Sequence, residues 1–78
     1  MEIEIITPSS QLYCGQATQV NVPGSSSSFE ILENHAPIIA TLQHGTIVLL
    51  DTTGKKHTFE IPGGVVEQSQ NKILILVD

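Results

Sequence analysis

The chain has 78 residues, with eight acidic residues, three lysines and no arginine, and its formal net charge is −5. Because phosphate groups are neutralised by lysine and arginine, this balance argues against a nucleic-acid partner and against binding to an anionic membrane surface. Hydrophobic residues make up 40% of the chain, yet it has one tyrosine, two phenylalanines and no tryptophan. The core must therefore consist mainly of isoleucine, valine and leucine, which favour strands.

The compartment is constrained by cysteine usage and by the absence of targeting patterns. Cys14 is the only cysteine, so no internal disulfide can form, unlike in small secreted disulfide-rich domains. The acidic first residues lack the basic segment of a signal peptide. The longest apolar run, residues 73–77, is far shorter than the roughly 20 residues of a membrane-spanning helix. A soluble protein of a reducing compartment, with no direct membrane insertion, is predicted.

In the first half of the chain, apolar residues recur at every second position, which is typical of half-buried strands. Ile3 and Ile5 in one stretch, and Val20 and Val22 in another, are predicted to face the core. This pattern predicts four strands, at residues 2–5, 11–14, 18–22 and 29–32. The serine-rich stretch 23–28 is predicted to be an exposed, mobile loop.

The second half of the chain is punctuated by turn residues. Gly54 is predicted to adopt a positive φ angle in a turn, and Pro62 and Gly63 fit the two central positions of a type II turn. Gln70 and Asn71 form a further predicted turn before the last strand. The predicted strands of this half are residues 45–51, 56–61, 65–68 and 72–77.

Short strands separated by turn residues about every 8–12 positions are typical of an all-β sandwich or barrel. We predict a small two-sheet antiparallel β-sandwich that forms a single domain over residues 1–78. Residues 47–50 and 73–77 are apolar on both faces, although a sandwich normally exposes one face of each strand. Either sheet curvature or an overlying loop buries the second face, or a partner protein covers it.

No combination of residues indicates catalysis. The three histidines are nine and thirteen positions apart, so a zinc site would need further ligands from Cys14, Glu33 or Asp51. The serine run lacks histidine and aspartate partners, and the Gly-Gly pair precedes a strand, unlike a nucleotide-binding loop. The prediction is no enzyme activity, no metal, no cofactor and no small-molecule substrate. The histidines in question are His35, His44 and His57.

Two segments are more specific. Residues 29–45 carry an Asn-His-Ala-Pro element at 34–37, and residues 63–78 carry Gly-Gly, an apolar pair, Glu67 and a turn before an apolar strand. In this order and at this separation they resemble the epsilon subunits of ATP synthases, and the resemblance extends over essentially the whole chain. Glu30 and Glu33 depart from the family pattern, which usually has glycine and proline there.

The resemblance implies a non-catalytic subunit of the central stalk, or rotor, of an F-type ATP synthase. Such a subunit binds the gamma subunit on one side and the ring of c subunits at one end. It rotates with both, so that torque from proton or sodium flow reaches the catalytic sites. Its place would be peripheral, at the cytoplasmic face of the bacterial inner membrane or an equivalent coupling membrane.

The resemblance also implies candidate interface residues, and it does not extend to one further element that many family members have. Because Pro37 restricts Ala36 to extended angles, the turn should be rigid and should project His35, unless His35 only caps the turn. Many family members continue into a C-terminal helical hairpin that inhibits hydrolysis or binds ATP; this sequence contains no such residues, so neither property is expected. The expected c-ring contacts are Ser28, Glu30, Glu33, Asn34 and His35, and the expected gamma contacts are Leu49, Leu74 and Leu76.

Two other functional classes are compatible with the residues. One is a free-standing β-sandwich adaptor that binds peptides at a sheet edge. The other is a small metalloenzyme that uses the histidines. Recovery of the gamma and c subunits in a pull-down argues against the adaptor, and metal analysis of the purified protein tests the metalloenzyme.

Overall fold

The computed structural model describes all 78 residues, and every regular element in it is a β-strand. None of its elements is a helix long and apolar enough to cross a membrane. The predicted all-β class is confirmed. The strands are β1 (Glu2–Ile6), β2 (Gln11–Val22), β3 (Phe29–Leu32), β4 (Ile38–Leu42), β5 (Gly45–Asp51), β6 (Lys56–Ile61), β7 (Gly64–Ser69) and β8 (Lys72–Val77).

The strands curl into two layers that share β2. They follow the order β4-β7-β8-β1-β2-β5-β6, with β3 paired to β2 outside this path. The first half of β2 pairs with β1, and its second half pairs with β3 and β5. The ladder between β2 and β5 shifts register between Ala17 and Gln19, where β2 passes from one layer to the other. A single long strand therefore ties the layers together.

Two features of this topology differ from the sequence-based expectation. Residues 11–14 and 18–22 were expected in separate strands, but both belong to β2, because Gly15 stays in the ladder opposite Ile3. All pairs were expected to be antiparallel, but β1 and β8 run parallel. A parallel pair requires a long connection, and here nearly the whole chain lies between the two strands.

The core lies between the layers and is almost entirely aliphatic. Ile3, Ile5, Val20 and Val22 are fully buried, as their alternation predicted. Tyr13, Phe29 and Phe59 pack against the margin of this core and are only partly buried. Interiors of this kind are close-packed and resist deformation. The other buried apolar residues are Met1, Ala17, Ile31, Leu42, Ile47, Leu49, Ile61, Val66, Ile73, Ile75 and Val77.

The strands that are apolar on both faces have one fully buried face and one partly covered face. In β8, Ile73 and Ile75 are buried, Leu74 is half-buried and Leu76 is 46% exposed. In β5, Leu49 is 0% exposed because it lies opposite the buried Val20 of β2. The expectation that Leu49 contacts a partner is therefore wrong. Its half-buried neighbours Val48 and Leu50 are the residues that face outward.

The turns follow the sequence pattern with one exception. Gly54 has a φ angle of 88°, and Gln70 and Asn71 have φ angles of 51° and 60°. Gly63 has a φ angle of 154°, whereas a type II turn requires about +80°, so the predicted type II turn is wrong. The Gly63 carbonyl oxygen instead accepts a hydrogen bond from Asp78 N at 3.0 Å, which continues the contact between β7 and β8.

Candidate protein interfaces

Strands β3 and β4 lie at one edge of the sandwich, β3 in one layer and β4 in the other. In the sheet, β3 pairs only with β2, whereas β4 pairs with β7 and, at its C-terminal end, with residues 23–25 through a bridge between Gly24 and Leu42. Ser25 N donates to the Thr41 carbonyl oxygen at 3.0 Å, so only the first part of β4 is unpaired on this side. The turn 33–37 joins them at one end of this edge, and the loop 25–28 precedes β3 at the other. Ser28 and His35 are therefore separated by roughly 15 Å of strand, yet both border the same edge. Ile39, in β4, is 74% exposed and is aligned with Glu67 of β7.

The turn that carries His35 is fixed by polar contacts to two other segments. The Glu33 carboxylate accepts hydrogen bonds from the Met1 ammonium group and, at 3.1 Å, from Asn71 Nδ2. Asn34 N donates to Asn71 Oδ1 at 2.9 Å, and Asn34 has a φ angle of 59°. The bond from the ammonium group, followed by that from Asn71, lowers the pKa of Glu33 below its ordinary value. Glu33 and Asn34 thus hold the turn in place.

His35 itself is exposed at the end of the sandwich. Its backbone N–H donates to the Leu32 carbonyl oxygen at 3.2 Å. Its Nδ1 lies 2.9 Å from the Ala36 carbonyl oxygen. Because a carbonyl oxygen can only accept, Nδ1 carries the proton in this arrangement, and Nε2 of the neutral ring is left as an acceptor. His35 therefore both caps the turn and presents one ring nitrogen to a neighbouring molecule.

The five residues expected at the c-ring do not form one cluster. Glu33, Asn34 and His35 lie together in the turn, and Ser28 lies at the far end of β3. Glu30 lies on the outer face of the layer formed by β3, β2, β5 and β6, where its carboxylate accepts a hydrogen bond from Gln19.

The outer face of the layer formed by β4, β7, β8 and β1 carries an apolar stripe. Val65, Leu76 and Ile6 are aligned across β7, β8 and β1. Val65 is 36% exposed and Leu76 is 46% exposed, while Ile6 is half-buried. Leu12 is also exposed beside them, next to the register shift opposite Ile6. We call these four residues, Val65, Leu76, Ile6 and Leu12, the apolar stripe.

Leu74 lies next to the apolar stripe in a second row, between two carboxylates. Its aligned neighbours are Glu67 on β7 and Glu4 on β1. Of the three expected gamma contacts, the structure thus places Leu74 and Leu76 on one surface and Leu49 in the core. Val65, Ile6 and Leu12 were not singled out from the sequence, because only the strand register shows that they adjoin Leu76.

The three histidines do not come together in the folded chain. The histidines lie in three separate places: the β3–β4 turn, the β4–β5 connection and strand β6. His57 Nε2 lies 2.8 Å from Asp51 Oδ2, and its ring centroid lies 5.0 Å from that of Tyr13. Asp51 also accepts hydrogen bonds from the Thr53 hydroxyl and N–H and from Lys55 N, so the pair stabilises the β5–β6 turn. No group of three histidine, cysteine or acidic residues is arranged to hold a metal ion.

Comparison with known proteins identifies the family. The family described as "ATP synthase, Delta/Epsilon chain, beta-sandwich domain" matches residues 1–78. The chain belongs to this family. It is 34% identical to the ATP synthase epsilon chain of Chlorobium limicola, over 99% of this chain and 88% of that relative. It is 40% identical to the ATP synthase epsilon chain of Leptospira interrogans, over 100% of this chain and 61% of that relative.

Solved structures confirm the β-sandwich fold. The chain superposes with a TM-score of 0.90 on part of the Euglena gracilis mitochondrial ATP synthase with its F1 sector and c-ring, at 14% identity, over 96% of this chain and 48% of that chain. It superposes with a TM-score of 0.82 on part of the Tetrahymena thermophila central stalk and c-ring, at 19% identity, over 97% of this chain and 61% of that chain. The chain is thus an epsilon-family β-sandwich by sequence and by fold.

Proposed function

We propose that this epsilon-family chain joins the gamma subunit to the c-ring, so that both turn as one rotor during ATP synthesis driven by proton or sodium flow. The support is the combination of family membership with two separate surfaces on one stiff body. The surfaces are the β3–β4 edge with its fixed turn, and the apolar stripe with Leu74. A rotor part that transmits torque needs such an arrangement, because a soft connector would absorb rotation.

The c-ring contact lies at the β3–β4 edge, around the His35 turn, in this proposal. Glu33 and Asn34 are fixed by the bonds to Met1 and Asn71, so the turn is already ordered before docking. A preordered turn loses little conformational entropy on binding. His35 Nε2 and the hydroxyl of Ser28 are the polar groups that meet the c-subunit loops in this proposal.

The gamma contact lies on the apolar stripe in this proposal. Leu76 is almost half exposed, at 46%, in the middle of four contiguous apolar side chains. Contiguous exposed apolar surface on a soluble domain marks a protein interface more often than single exposed residues do. The stripe and the His35 turn lie on different parts of the sandwich, so both partners can bind simultaneously.

The location follows from the partners. A subunit that bridges gamma and the c-ring sits at the membrane surface without entering the bilayer. Because the relatives from Chlorobium limicola and Leptospira interrogans are bacterial ATP synthase chains, the proposed location is the cytoplasmic face of the bacterial inner membrane.

Exposure of Leu76 is the observation that carries the gamma assignment, and a charge substitution there tests it. We expect Leu76→Lys to weaken binding to an F1 sector depleted of this chain by at least about tenfold, because a buried unpaired charge is costly. Thr58→Lys, on the outer face of the other layer, is the matched control and should bind normally. Unchanged binding by a folded Leu76→Lys variant would refute the assignment.

A further inference from the structure

The outer face that bears the apolar stripe also carries a row of carboxylates. Glu67 and Glu4 flank Leu74 in aligned positions on β7, β8 and β1. Since adjacent strands are about 4.8 Å apart, the two acidic positions are separated by roughly 10 Å. This row lies two residues along each strand from the stripe, which corresponds to roughly 7 Å. The face therefore presents an apolar row and a parallel acidic row.

The negative charge of this row is not neutralised within the chain. Glu67 makes no ion pair, and Glu4 accepts only a hydrogen bond from Gln11, at 2.8 Å. Glu2 adds a third carboxylate on the same face, 3.8 Å from Lys72. Lys55 and Lys56 lie elsewhere, at the β5–β6 turn. Three carboxylates and one ammonium group give the face a net negative charge.

We propose that this face takes an amphipathic, basic segment of the gamma subunit, an inference that rests on the proposed function. The apolar side chains of that segment cover the apolar stripe, and its lysine or arginine side chains lie over Leu74 with their cationic heads between Glu4 and Glu67. Long basic side chains bury their aliphatic stems on apolar surface while the charged head stays beside its partner. A groove of about 350 Å³ adjoins this row on the side of the β7–β8 turn, where Glu2, Glu67 and Leu74 line it together with Lys72 and residues 69–71.

Charge also argues against other occupants of this face. A second copy of the chain, related by a two-fold axis, would place carboxylates against carboxylates. An anionic lipid surface would meet the same repulsion. A basic protein segment instead gains attraction along the row, which mainly sets the rate and the register of docking. The acidic row thus defines which part of the gamma subunit fits.

The test measures the affinity for an F1 sector depleted of this chain at about 50 and 300 mM NaCl. Glu67→Gln and Glu4→Gln should each weaken binding about two- to fivefold at low salt and reduce its salt dependence, because exposed ion pairs are modest and screened. Glu67→Lys should have a larger effect. Glu60→Gln, on the other layer, is the matched control and should match the wild-type chain.

The outcomes separate this inference from the proposed function. If both glutamine variants keep wild-type affinity and salt dependence while Leu76→Lys loses binding, the acidic row has no role and the gamma contact stands. If Leu76→Lys also binds normally, the gamma assignment fails and this inference fails with it. A dimer of the isolated chain that covers Leu76 would likewise overturn the inference.

Discussion

Asn71 Nδ2 donates a hydrogen bond to Glu33 Oε2 at 3.1 Å, although the two residues are 38 positions apart in the chain. The same Asn71 side chain accepts a hydrogen bond from Asn34 N at 2.9 Å. One amide thus connects the β7–β8 turn to the turn that carries His35. The orientation of His35, at the proposed c-ring surface, depends on a residue far from it in sequence.

Removing the Asn71 side chain should loosen the His35 turn without disturbing the hairpin. Because Asn71 has a φ angle of 60°, glycine fits this position and Asn71→Gly removes only the side-chain bonds. We expect the Asn34 amide to exchange with solvent about fivefold faster, as befits the loss of one net hydrogen bond. Hydrogen–deuterium exchange followed by NMR measures this.

Gln70→Gly is the matched control, since Gln70 has a φ angle of 51° and its side chain makes no hydrogen bond. Equal exchange of the Asn34 amide in the two variants would show that the Asn71 bonds do not order the turn.

Acid should destabilise the domain partly through Asp51. Hydrogen bonds from Thr53 and then from His57 lower the pKa of Asp51 well below its ordinary value of 3.8. A carboxyl group whose pKa is lowered by folding contributes stability above its unfolded pKa and loses that contribution as pH falls through the folded one. We therefore expect wild-type stability to fall as pH drops below about 4, and Asp51→Asn to show a smaller fall.

Urea unfolding at pH 7 and pH 3 measures this difference. Glu33, whose pKa is also lowered, contributes to the pH dependence in the same direction in both proteins. An Asp51→Asn variant that loses as much stability on acidification as the wild-type chain would contradict the assignment.

Gln68 is a polar residue in an apolar interior. It is 1% exposed on the inner face of β7, and neither its Nε2 nor its Oε1 has a hydrogen-bond partner. An unpaired buried amide costs about 1–3 kcal/mol. We expect Gln68→Met, which has a similar volume, to raise the free energy of unfolding by about 1–2 kcal/mol.

Chemical denaturation of Gln68→Met and of Gln16→Met tests this. Gln16 is exposed on β2, and its replacement should change stability by less than about 0.5 kcal/mol. A loss of stability in Gln68→Met would show that the amide is satisfied in the folded protein.

Local patterns predicted most of the strands but not their neighbours. Alternation placed Ile3, Val20 and Val22 in the core, and the glycine at 54 marked a turn with positive φ, because both are properties of a few adjacent residues. The parallel pairing of β1 with β8 depends on residues at opposite ends of the chain, and nothing in either strand specifies it. Where both faces of a strand are apolar, the sequence also does not show which face lies against the core.

The candidate site shows the same limit. Leu49 and Leu50 are indistinguishable in a run of apolar residues, and only the alignment of Leu49 with Val20 shows which one is buried. The His35 turn was predictable, since Pro37 and the neighbouring residues determine it locally. Its attachment to Asn71 was not, and neither was the juxtaposition of Glu67 and Leu74.

Site-directed cross-linking within the assembled ATP synthase tests the central claim most directly. In a Cys14→Ser background, a photoreactive maleimide is attached at His35→Cys, Leu76→Cys or Thr58→Cys, and the cross-linked subunits are identified by mass spectrometry. We predict a c subunit at position 35, the gamma subunit at position 76 and neither at position 58. Cross-links from positions 35 and 76 to the same subunit, or to subunits outside the rotor, would contradict a body that joins gamma to the c-ring through two separate surfaces.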